Sequence, residues 1–301
     1  MADAPSDYVD RAVEYAQEAA ADDGSKHGRL IRQAASRFLN DLDRAERDDC
    51  PFYFDRWCAN DPCDFIEKLP HVEGVWETPE LTLHPSHIFL IVQLFGFRSR
   101  ETGTRRYTSV LFAVARKNAK STISAAILLY CLCCEDEPGA QVISAATTFD
   151  QAAIIFKIAK AMVDRTPDLR DEFGLQVWSK AITCEDIGAN FKPLHAKAST
   201  QDGLNPSHTA LDEIHAHKTA DLLNVLTSAA GARANPLWLY TTTEGYINGG
   251  PWEELRKFGK DLLEGVFEER ADHFLVVFYA IDPEDDEFSE ATWRKANPLM
   301  D

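Results

Sequence analysis

The chain has 301 residues, of which 45% are hydrophobic, and its formal net charge at pH 7 is -18. That length and hydrophobic content suffice to bury the core of one large domain, or of one domain with a smaller appendage. A stand-alone DNA-binding domain should be basic, so the acidity argues against one, although it leaves room for DNA contacts made by a few loops.

The sequence carries no signal of membrane insertion or export. Its longest apolar run, from Ile123 to Cys134, is too short to span a bilayer. The acidic N-terminus lacks the apolar core of a signal peptide, so we expect no export. We interpret all seven cysteines as reduced thiols of a cytosolic protein, because no Cys and His pairs follow one another at zinc-finger spacing.

The first 80 residues predict a small helical N-terminal subdomain of lid-like character. Apolar residues at helical spacing predict helices over 8–23 and 28–47. Residues 50–80 are mixed in character, with aromatic residues between turn formers. We therefore place a domain boundary at residue 80 and a second domain over 81–301.

Strands and helices alternate from residue 81 onward. Apolar runs rich in β formers predict the strands, and helical patterns between them predict the helices. Such alternation predicts an α/β fold with a mostly parallel central sheet flanked by helices, whose ligands bind at the carboxyl ends of the strands. The predicted strands cover 108–114, 140–145, 207–211, 236–242 and 273–281, and the predicted helices cover 88–95, 120–134, 148–165, 219–230, 251–263 and 289–296.

The segment 115–122 lies between a predicted strand and a predicted helix, which is the setting of a phosphate-binding loop. Backbone N–H groups wrap phosphates in such a loop, a lysine (here Lys120) reaches the β and γ phosphates, and the next hydroxyl (Ser121) binds Mg²⁺. The usual pattern has glycines where this chain has Val114 and Ala119. Alanine is sterically mild at the second place if its backbone is helical.

Three cations crowd the start of the helix that follows, namely Arg116, Lys117 and Lys120. Cations are unfavourable at a helix N-terminus unless an anion is bound there. An ordinary cationic helix start is the alternative interpretation. In a chain of net charge -18, this concentration of positive charge favours a phosphate ligand.

Asp212 and Glu213 end a short predicted strand downstream of the loop. In P-loop ATPases an aspartate in this place completes the Mg²⁺ shell, and the next carboxylate orients or deprotonates the attacking water. A solvated pair at a helix N-cap is the alternative, but the coupling to the phosphate loop favours the functional interpretation. His215 and His217 follow closely, and we interpret this H-x-H as structural rather than as a metal site.

Thr241, Thr242 and Thr243 end the predicted strand 236–242 or follow it directly. Three hydroxyls at a strand end can sense the γ-phosphate or its water and pass the change to a moving element. The β propensity of threonine at a strand edge explains the same pattern without any function. On this motif alone, the functional interpretation is weak.

Together with their surroundings, these motifs resemble the large terminase subunits of tailed double-stranded DNA bacteriophages, in the branch whose phosphate loop reads R-K-N-G/A-K-S/T. The resemblance covers most of the chain, from about residue 28 onward. Each motif is loose, but their order and spacing together are specific. The segments that carry the resemblance, besides the loop, are Leu83 to His87, Leu94 to Phe97, Ser144 to Phe156, Asp202 to Pro206, Asp212 to His215 and Ala296 to Pro298.

The resemblance implies an ASCE-type P-loop ATPase that hydrolyses MgATP to move duplex DNA. Carried over by position, Glu213 is the catalytic carboxylate, and Arg116 and Lys120 act with it on the γ-phosphate. Ser121 and Asp212 are implied to bind Mg²⁺. The residues implied to bind ATP are Arg116, Lys117, Asn118, Ala119, Lys120, Ser121, Thr122 and His87.

Further roles are implied by the same resemblance. Thr241 to Thr243 would couple hydrolysis to DNA movement. The adenine-side glutamine of the family falls at His87, and Gln93 is the weaker candidate for that contact. An arginine finger supplied by a neighbouring subunit is expected in such rings. The candidates for it are Arg233, Lys192 and Lys197.

The resemblance also implies partners and a place of action. We expect double-stranded DNA, the portal protein and the small terminase subunit as partners, in a homo-oligomeric ring at the procapsid in the host cytoplasm; the isolated chain could be a monomer. The family's C-terminal nuclease domain is not expected in this chain, and we interpret the acidic run 282–287 as a solvated loop. Two alternatives stay open: a helicase-like P-loop ATPase acting on nucleic acid, and a non-enzymatic acidic assembly protein.

Overall fold

The computed structural model describes residues 7–135, 137–195, 204–231, 233–245, 249–267 and 271–300. None of the helices within these ranges is both long and apolar enough to cross a membrane. The helices are α1 (Tyr8–Ala21), α2 (Arg29–Ala45), α3 (Arg56–Glu67), α4 (Pro85–Gly96), α5 (Lys120–Cys134), α6 (Phe149–Arg165), α7 (Pro167–Glu172), α8 (Asp221–Ala229), α9 (Pro251–Leu263) and α10 (Glu290–Ala296). The strands are β1 (Phe52–Phe54), β2 (Phe97–Ser99), β3 (Ser109–Ala113), β4 (Gln141–Ala146), β5 (Leu175–Val177), β6 (Ile182–Cys184), β7 (Ala189–His195), β8 (His208–Leu211), β9 (Leu237–Thr242) and β10 (Phe274–Phe278).

The chain divides into two compact units. The first contains the described residues of 1–64, 83–118 and 255–301, and the second contains those of 65–82 and 119–254. Helices α1 and α2, which the sequence assigns to an N-terminal subdomain, share the first unit with β3 and β10. The domain boundary at residue 80 stays a prediction.

The first unit contains a pair of parallel strands, β3 and β10. Their register pairs Ser109 with Phe274 and Ala113 with Phe278. Helix α2 packs on β10 with an apolar stripe at helical spacing, as its amphipathic sequence predicts. Helix α4 is buried at every position from Ser86 to Gly96, which explains why its sequence is apolar on all sides.

The acidic run 282–287 is a loop, as expected, and its residues 283, 284, 286 and 287 are exposed, but its first residue is buried and engaged. Asp282 is only 6% exposed, and its Oδ1 accepts a hydrogen bond of 2.8 Å from the backbone N–H of Arg29, the first residue of α2. Lys295 of α10 lies 3.5 Å from Oδ2 of Asp282 and also pairs with Asp285. The run therefore links α10 to the start of α2, because a carboxylate stabilises the unsatisfied N–H groups at a helix N-terminus.

The second unit is built on a mostly parallel sheet. Strands β9, β8, β4 and β7 are parallel neighbours in that order, and β6 and β5 continue the sheet in antiparallel orientation. Helices α5 and α6 pack on these strands. Strand β8 ends at Leu211, and its neighbour β4 is paired with it up to Ala145. The acidic pair that follows Leu211 therefore lies at the carboxyl edge of the sheet.

The α/β fold class with parallel strands and flanking helices is confirmed, and most predicted elements lie where the sequence places them. Strands β5, β6 and β7 were not predicted, because these short strands mix polar and apolar residues and lack a clear period. It also missed α3, since Pro62 lies inside that helix and proline normally argues against a helix interior.

Candidate functional site

The loop between β3 and α5 has an unusual backbone. Lys117 and Ala119 have positive φ values of 69° and 52°, and the ψ of Ala119 is 18°, which places it in the left-handed region. We expected alanine to be tolerated at position 119 if the backbone there were helical. The structure has a left-handed backbone at this residue instead. Glycine is the usual residue at such a place because it has no Cβ to clash with the neighbouring carbonyl. Arg116 and Lys117 are exposed, so both cations are free to meet a solvent-borne anion.

In the first unit, Asn118 organises the beginning of this loop. Its side chain is buried, and Nδ2 donates to the carbonyls of Ala115 and Arg116 at 3.1 and 3.2 Å and to Oδ1 of Asn297 at 3.0 Å. Its Oδ1 accepts from the backbone N–H of Leu299 at 3.1 Å. The polar atoms of the Asn118 side chain are thus engaged within the protein. Asn297 contacts the loop through Asn118, which the sequence pattern did not predict.

His87 also supports the loop from within the first unit. It is 4% exposed, and its Nε2 lies 3.3 Å from the carbonyl oxygen of Asn118. Burial lowers the pKa of His87 to about 4, so the imidazole is neutral at pH 7. Gln93 is buried too and donates to the carbonyl of Phe89 inside α4. Both side chains are engaged inside the first unit and are not placed to contact an adenine ring. His84, by contrast, lines a cavity of about 510 Å³ in this unit.

In the second unit, the start of α5 meets the acidic pair. Nζ of Lys120 lies 3.0 Å from Oε1 of Glu213, and Lys120 is only 8% exposed. The backbone N–H of Asp212 donates to the carbonyl of Ala145 at 2.8 Å, which fixes the pair next to the end of β4. Two motifs that are 93 residues apart in the sequence are therefore in direct contact, as the functional interpretation requires.

Asp212 is a buried carboxylate with defined partners. Its Oδ1 accepts a hydrogen bond of 2.7 Å from the hydroxyl of Thr241 and one of 3.0 Å from the backbone N–H of Glu213. Burial raises the pKa of Asp212 above its ordinary value, against the opposing effects of the Lys120 charge and the Thr241 hydrogen bond. A buried carboxylate of raised pKa favours a cation beside it, because a nearby positive charge stabilises the ionised form.

Glu213 has a strained backbone, and one of its carboxylate oxygens lacks a hydrogen-bond partner among the described residues. Its φ and ψ are both 50°, in the left-handed region, where a non-glycine residue costs roughly 1–2 kcal/mol. Oε1 pairs with Lys120, while Oε2 is buried and receives no hydrogen bond from the residues that the structure describes. Nδ1 of His215 approaches Oε2 to 3.1 Å. Strain of this kind together with an unsatisfied carboxylate oxygen is typical of functional sites.

The threonine run contacts Asp212 of the acidic pair and His215, which follows the pair. Thr241 and Thr242 are the buried last residues of β9. Besides the bond from Thr241 to Asp212, Oγ1 of Thr242 lies 2.8 Å from Nδ1 of His215. The β propensity of threonine does not account for these contacts. His215 is therefore a member of the site, which the sequence did not reveal because an H-x-H pattern is rarely more than structural.

His217, the second histidine of the H-x-H pattern, lies inside the second unit. It is buried, and burial lowers its pKa although a hydrogen bond to the backbone of Asp212 acts in the opposite direction. Within the described ranges, the one group of His, Cys, Asp and Glu ligand atoms that converges as a metal site would is Cys131, Glu135 and His208, which lies away from the H-x-H pair. There Nε2 of His208 is already 2.8 Å from a carboxylate oxygen of Glu135, as in a direct hydrogen bond.

The candidates for an arginine finger differ in their surroundings. The guanidinium of Arg233 donates to the carbonyls of Asn205 and Gly139 and pairs with Glu137 at 2.9 Å, so it is engaged inside its own unit and is not presented to a neighbour. Lys192 is exposed on β7. Lys197 lies outside the described residues. Of these three, Lys192 is the one that the structure leaves accessible.

Residues 85–261 match the protein family described as "Terminase large subunit, ATPase domain". The chain belongs to this family. One relative in the terminase family is the "Terminase, large subunit" of Enterobacteria phage HK97, which is 27% identical over 197 residues, or 63% of this chain and 37% of the relative. Another similar protein is "Protein YmfN" of Escherichia coli strain K12, which is 34% identical over 106 residues, or 35% of this chain and 23% of that protein.

The crystal structure of the HK97 bacteriophage large terminase shares the fold. The TM-score is 0.66 at 24% sequence identity, and the match covers 80% of this chain and 47% of that one. At this identity the likeness concerns the fold alone. The chain spans less than half the length of these terminase relatives. The predicted family and the α/β P-loop fold class are confirmed, and the comparisons support neither the helicase-like alternative nor the non-enzymatic one.

Proposed function

We propose that this terminase ATPase domain binds MgATP and hydrolyses its terminal phosphate. The contact of 3.0 Å between Lys120 and Glu213 carries the proposal, because it brings the phosphate-loop lysine to the carboxylate that follows the strand-end aspartate. In the same unit Asp212 is a buried carboxylate and Glu213 a strained one, and P-loop hydrolysis needs a carboxylate in each of these two places.

The donor set at the acidic pair fits Mg²⁺. Mg²⁺ prefers oxygen ligands and retains several waters, so a hydroxyl and a carboxylate are enough protein ligands. Ser121 and Asp212 would hold the ion. The raised pKa of Asp212 and the unsatisfied Oε2 of Glu213 mark a place where a further positive charge, beside that of Lys120, would be stabilising. When bound, Mg²⁺ would neutralise charge that develops on the phosphates.

Lys120 and Glu213 would change partners when ATP binds. A triphosphate competes with Glu213 for the ammonium group, so Lys120 would move from the carboxylate to the phosphate oxygens. Glu213 is then released to accept a proton from the attacking water or to orient it, a contribution of about 10²–10⁴-fold for a positioned general base. Arg116, which is exposed in this structure, would contact the γ-phosphate from the same polypeptide chain.

The complete protein would use this reaction to package DNA. The terminase relatives support that role, and we propose double-stranded DNA, the portal protein and the small terminase subunit as partners, with a homo-oligomeric ring at the procapsid in the host cytoplasm. Thr241 to Thr243 would couple hydrolysis to movement. Because a ring supplies the second cation on the γ-phosphate, the chain by itself should turn over slowly and faster at high protein concentration.

Two substitutions test the proposal. Lys120→Ala should abolish binding of a fluorescent, non-hydrolysable ATP analogue in the presence of Mg²⁺. Glu213→Gln should retain binding and reduce turnover by about 10²-fold or more, the usual loss on removing a general base. Lys180→Ala, which removes an exposed lysine of the same unit, is the matched control and should behave like the parent. Parent-like binding and turnover in both site variants would refute the proposal.

A further inference from the structure

The side chain of His215, in the second unit, contacts both the carboxylate of the proposed catalytic glutamate and the threonine run. Its Nδ1 lies 3.1 Å from Oε2 of Glu213 and 2.8 Å from Oγ1 of Thr242. The backbone N–H of His215 also points to Oγ1 of Thr242, at 3.4 Å. A single imidazole atom therefore faces the end of β8 on one side and the end of β9 on the other.

The hydrogen bonds around Thr242 assign the proton on this imidazole. The hydroxyl of Thr242 donates its only hydrogen to the carbonyl of Thr243 at 2.7 Å, so its oxygen is the acceptor for His215. Nδ1 must then carry the hydrogen, and Nδ1–H faces two acceptors, the Thr242 hydroxyl and the free oxygen of Glu213. A shift of the Glu213 carboxylate toward or away from Nδ1 changes how strongly that hydrogen is held by Thr242.

Gly245 encloses the same imidazole from the chain that follows β9. A Cβ placed on Gly245 would lie 2.3 Å from Cδ2 and 2.5 Å from Cγ of His215, closer than any real Cβ contact. The backbone at residue 245 thus rests directly on the ring, and only glycine permits that approach. The segment from Thr242 to Gly245 is fixed to His215 at both ends, so a rotation of the ring has to move this segment.

We propose that His215 is a positioning residue that transmits the state of Glu213 to the segment 242–245 through Nδ1–H. The inference rests on the proposed function, since it takes Glu213 as the group that ATP releases from Lys120. When Oε2 of Glu213 moves, Nδ1–H is shared differently between Glu213 and Thr242, and the ring and the glycine resting on it move together. His215 orients the glutamate in turn, so its loss should lower kcat and leave nucleotide binding intact.

Kinetics of single and double variants test the inference. His215→Ala should lower kcat at least 10-fold while KM and the Kd for a non-hydrolysable ATP analogue change less than about 2-fold, because the interaction acts on the reacting geometry and not on binding. His215→Asn, whose amide can donate from the place of Nδ1, should recover most of kcat, whereas His215→Gln should not. Thr242→Val should lower kcat, and its effect should not add to that of His215→Ala.

Hydrogen exchange gives a readout that does not depend on turnover. In the full chain, binding of the analogue with Mg²⁺ should change exchange in the peptide covering 237–245 about 3-fold or more, and His215→Ala should abolish that change while binding persists. Thr209→Val is the matched control, because Thr209 is a buried threonine on the neighbouring β8 whose hydroxyl has no hydrogen-bond partner among the described residues. It should leave kcat and the exchange response as in the parent.

The outcomes separate this inference from the proposed function. If Lys120→Ala binds the analogue like the parent, the proposed function fails and the inference falls with it. If Lys120→Ala loses binding but His215→Ala keeps kcat and the exchange response, only the role of His215 is refuted. If His215→Ala does not fold, as judged by circular dichroism, the contrast between His215→Asn and His215→Gln decides: equal kcat values would overturn the assignment of Nδ1.

Discussion

The pair of Lys120 and Glu213 predicts opposite effects of one substitution on ATP binding and on hydrolysis. In this structure Lys120 is held by Glu213 at 3.0 Å, so a nucleotide has to displace that carboxylate before it can use the ammonium group. Glu213→Gln removes the competing charge but keeps an oxygen acceptor of the same shape. We therefore expect the variant to bind ATP more tightly than the parent while it loses most of its turnover.

The magnitude follows from the burial of the pair. A buried charge-assisted hydrogen bond contributes roughly 1.5–3 kcal/mol, whereas an exposed ion pair contributes about 0.2–1 kcal/mol. The side chains are 8% and 26% exposed, which places this pair between the two limits. Since glutamine retains a neutral hydrogen bond of about 0.5–1 kcal/mol, the net gain on binding is about 1 kcal/mol, or about fivefold in Kd.

Equilibrium titration with a fluorescent non-hydrolysable ATP analogue in Mg²⁺ measures that change, and phosphate release measures turnover. Glu172→Gln removes one negative charge from an exposed position of the same unit and controls for the general effect of charge on an anionic ligand. The reasoning is wrong if Glu213→Gln binds the analogue no more tightly than Glu172→Gln does. It is also wrong if tighter binding is accompanied by parent-like turnover.

Three further predictions concern the surroundings of the loop and the acidic pair. Ala119→Gly should raise the free energy of unfolding in urea by about 1 kcal/mol, because it removes the strain of alanine at a φ of 52°. Ala119→Val should lower that free energy. Equal values for the parent and both variants would contradict the left-handed backbone at Ala119. Asp212→Asn should raise the Tm measured without nucleotide by about 1–3 °C at pH 7.5, since burial raises the pKa of Asp212 and makes its ionised form unfavourable. This gain in Tm should shrink as the pH falls toward the ordinary aspartate pKa of 3.8. A Tm difference that stays constant across that pH range would argue against a raised pKa of Asp212. Burial lowers the pKa of His87 from 6.5 to about 4, so its contribution to stability is complete above pH 6.5 and is lost as the pH falls toward 4. Between pH 7 and pH 4, the free energy of unfolding in urea should fall by about 3 kcal/mol more for the parent than for His87→Gln. Equal losses in the two proteins would show that His87 does not titrate in this way.

Local signals in the sequence were enough to predict most of the elements and the two motifs that meet at the candidate site. Helix α5 was predicted over 120–134 and is observed as Lys120–Cys134, because a continuous apolar run with a clear start is a local signal. Helix α6 begins after Thr148, whose hydroxyl accepts from the N–H of Gln151, and such caps are also legible in a sequence. Alternating strands and helices place residues that follow strands at one edge of a parallel sheet, so the meeting of Lys120 with Glu213 could be anticipated.

The surroundings of those motifs depend on contacts between segments that are distant in the sequence. Asn118 is bound by Asn297, 179 residues away, Asp282 caps a helix that begins 253 residues earlier, and His215 meets Thr242 across 27 residues. Side-chain hydrogen bonds between distant segments leave no period, cap or spacing in the sequence, because the partner is chosen by which backbone comes close after folding. The left-handed backbone at Ala119 and Glu213 has the same origin, since its strain is tolerated only where long-range contacts hold the chain in place.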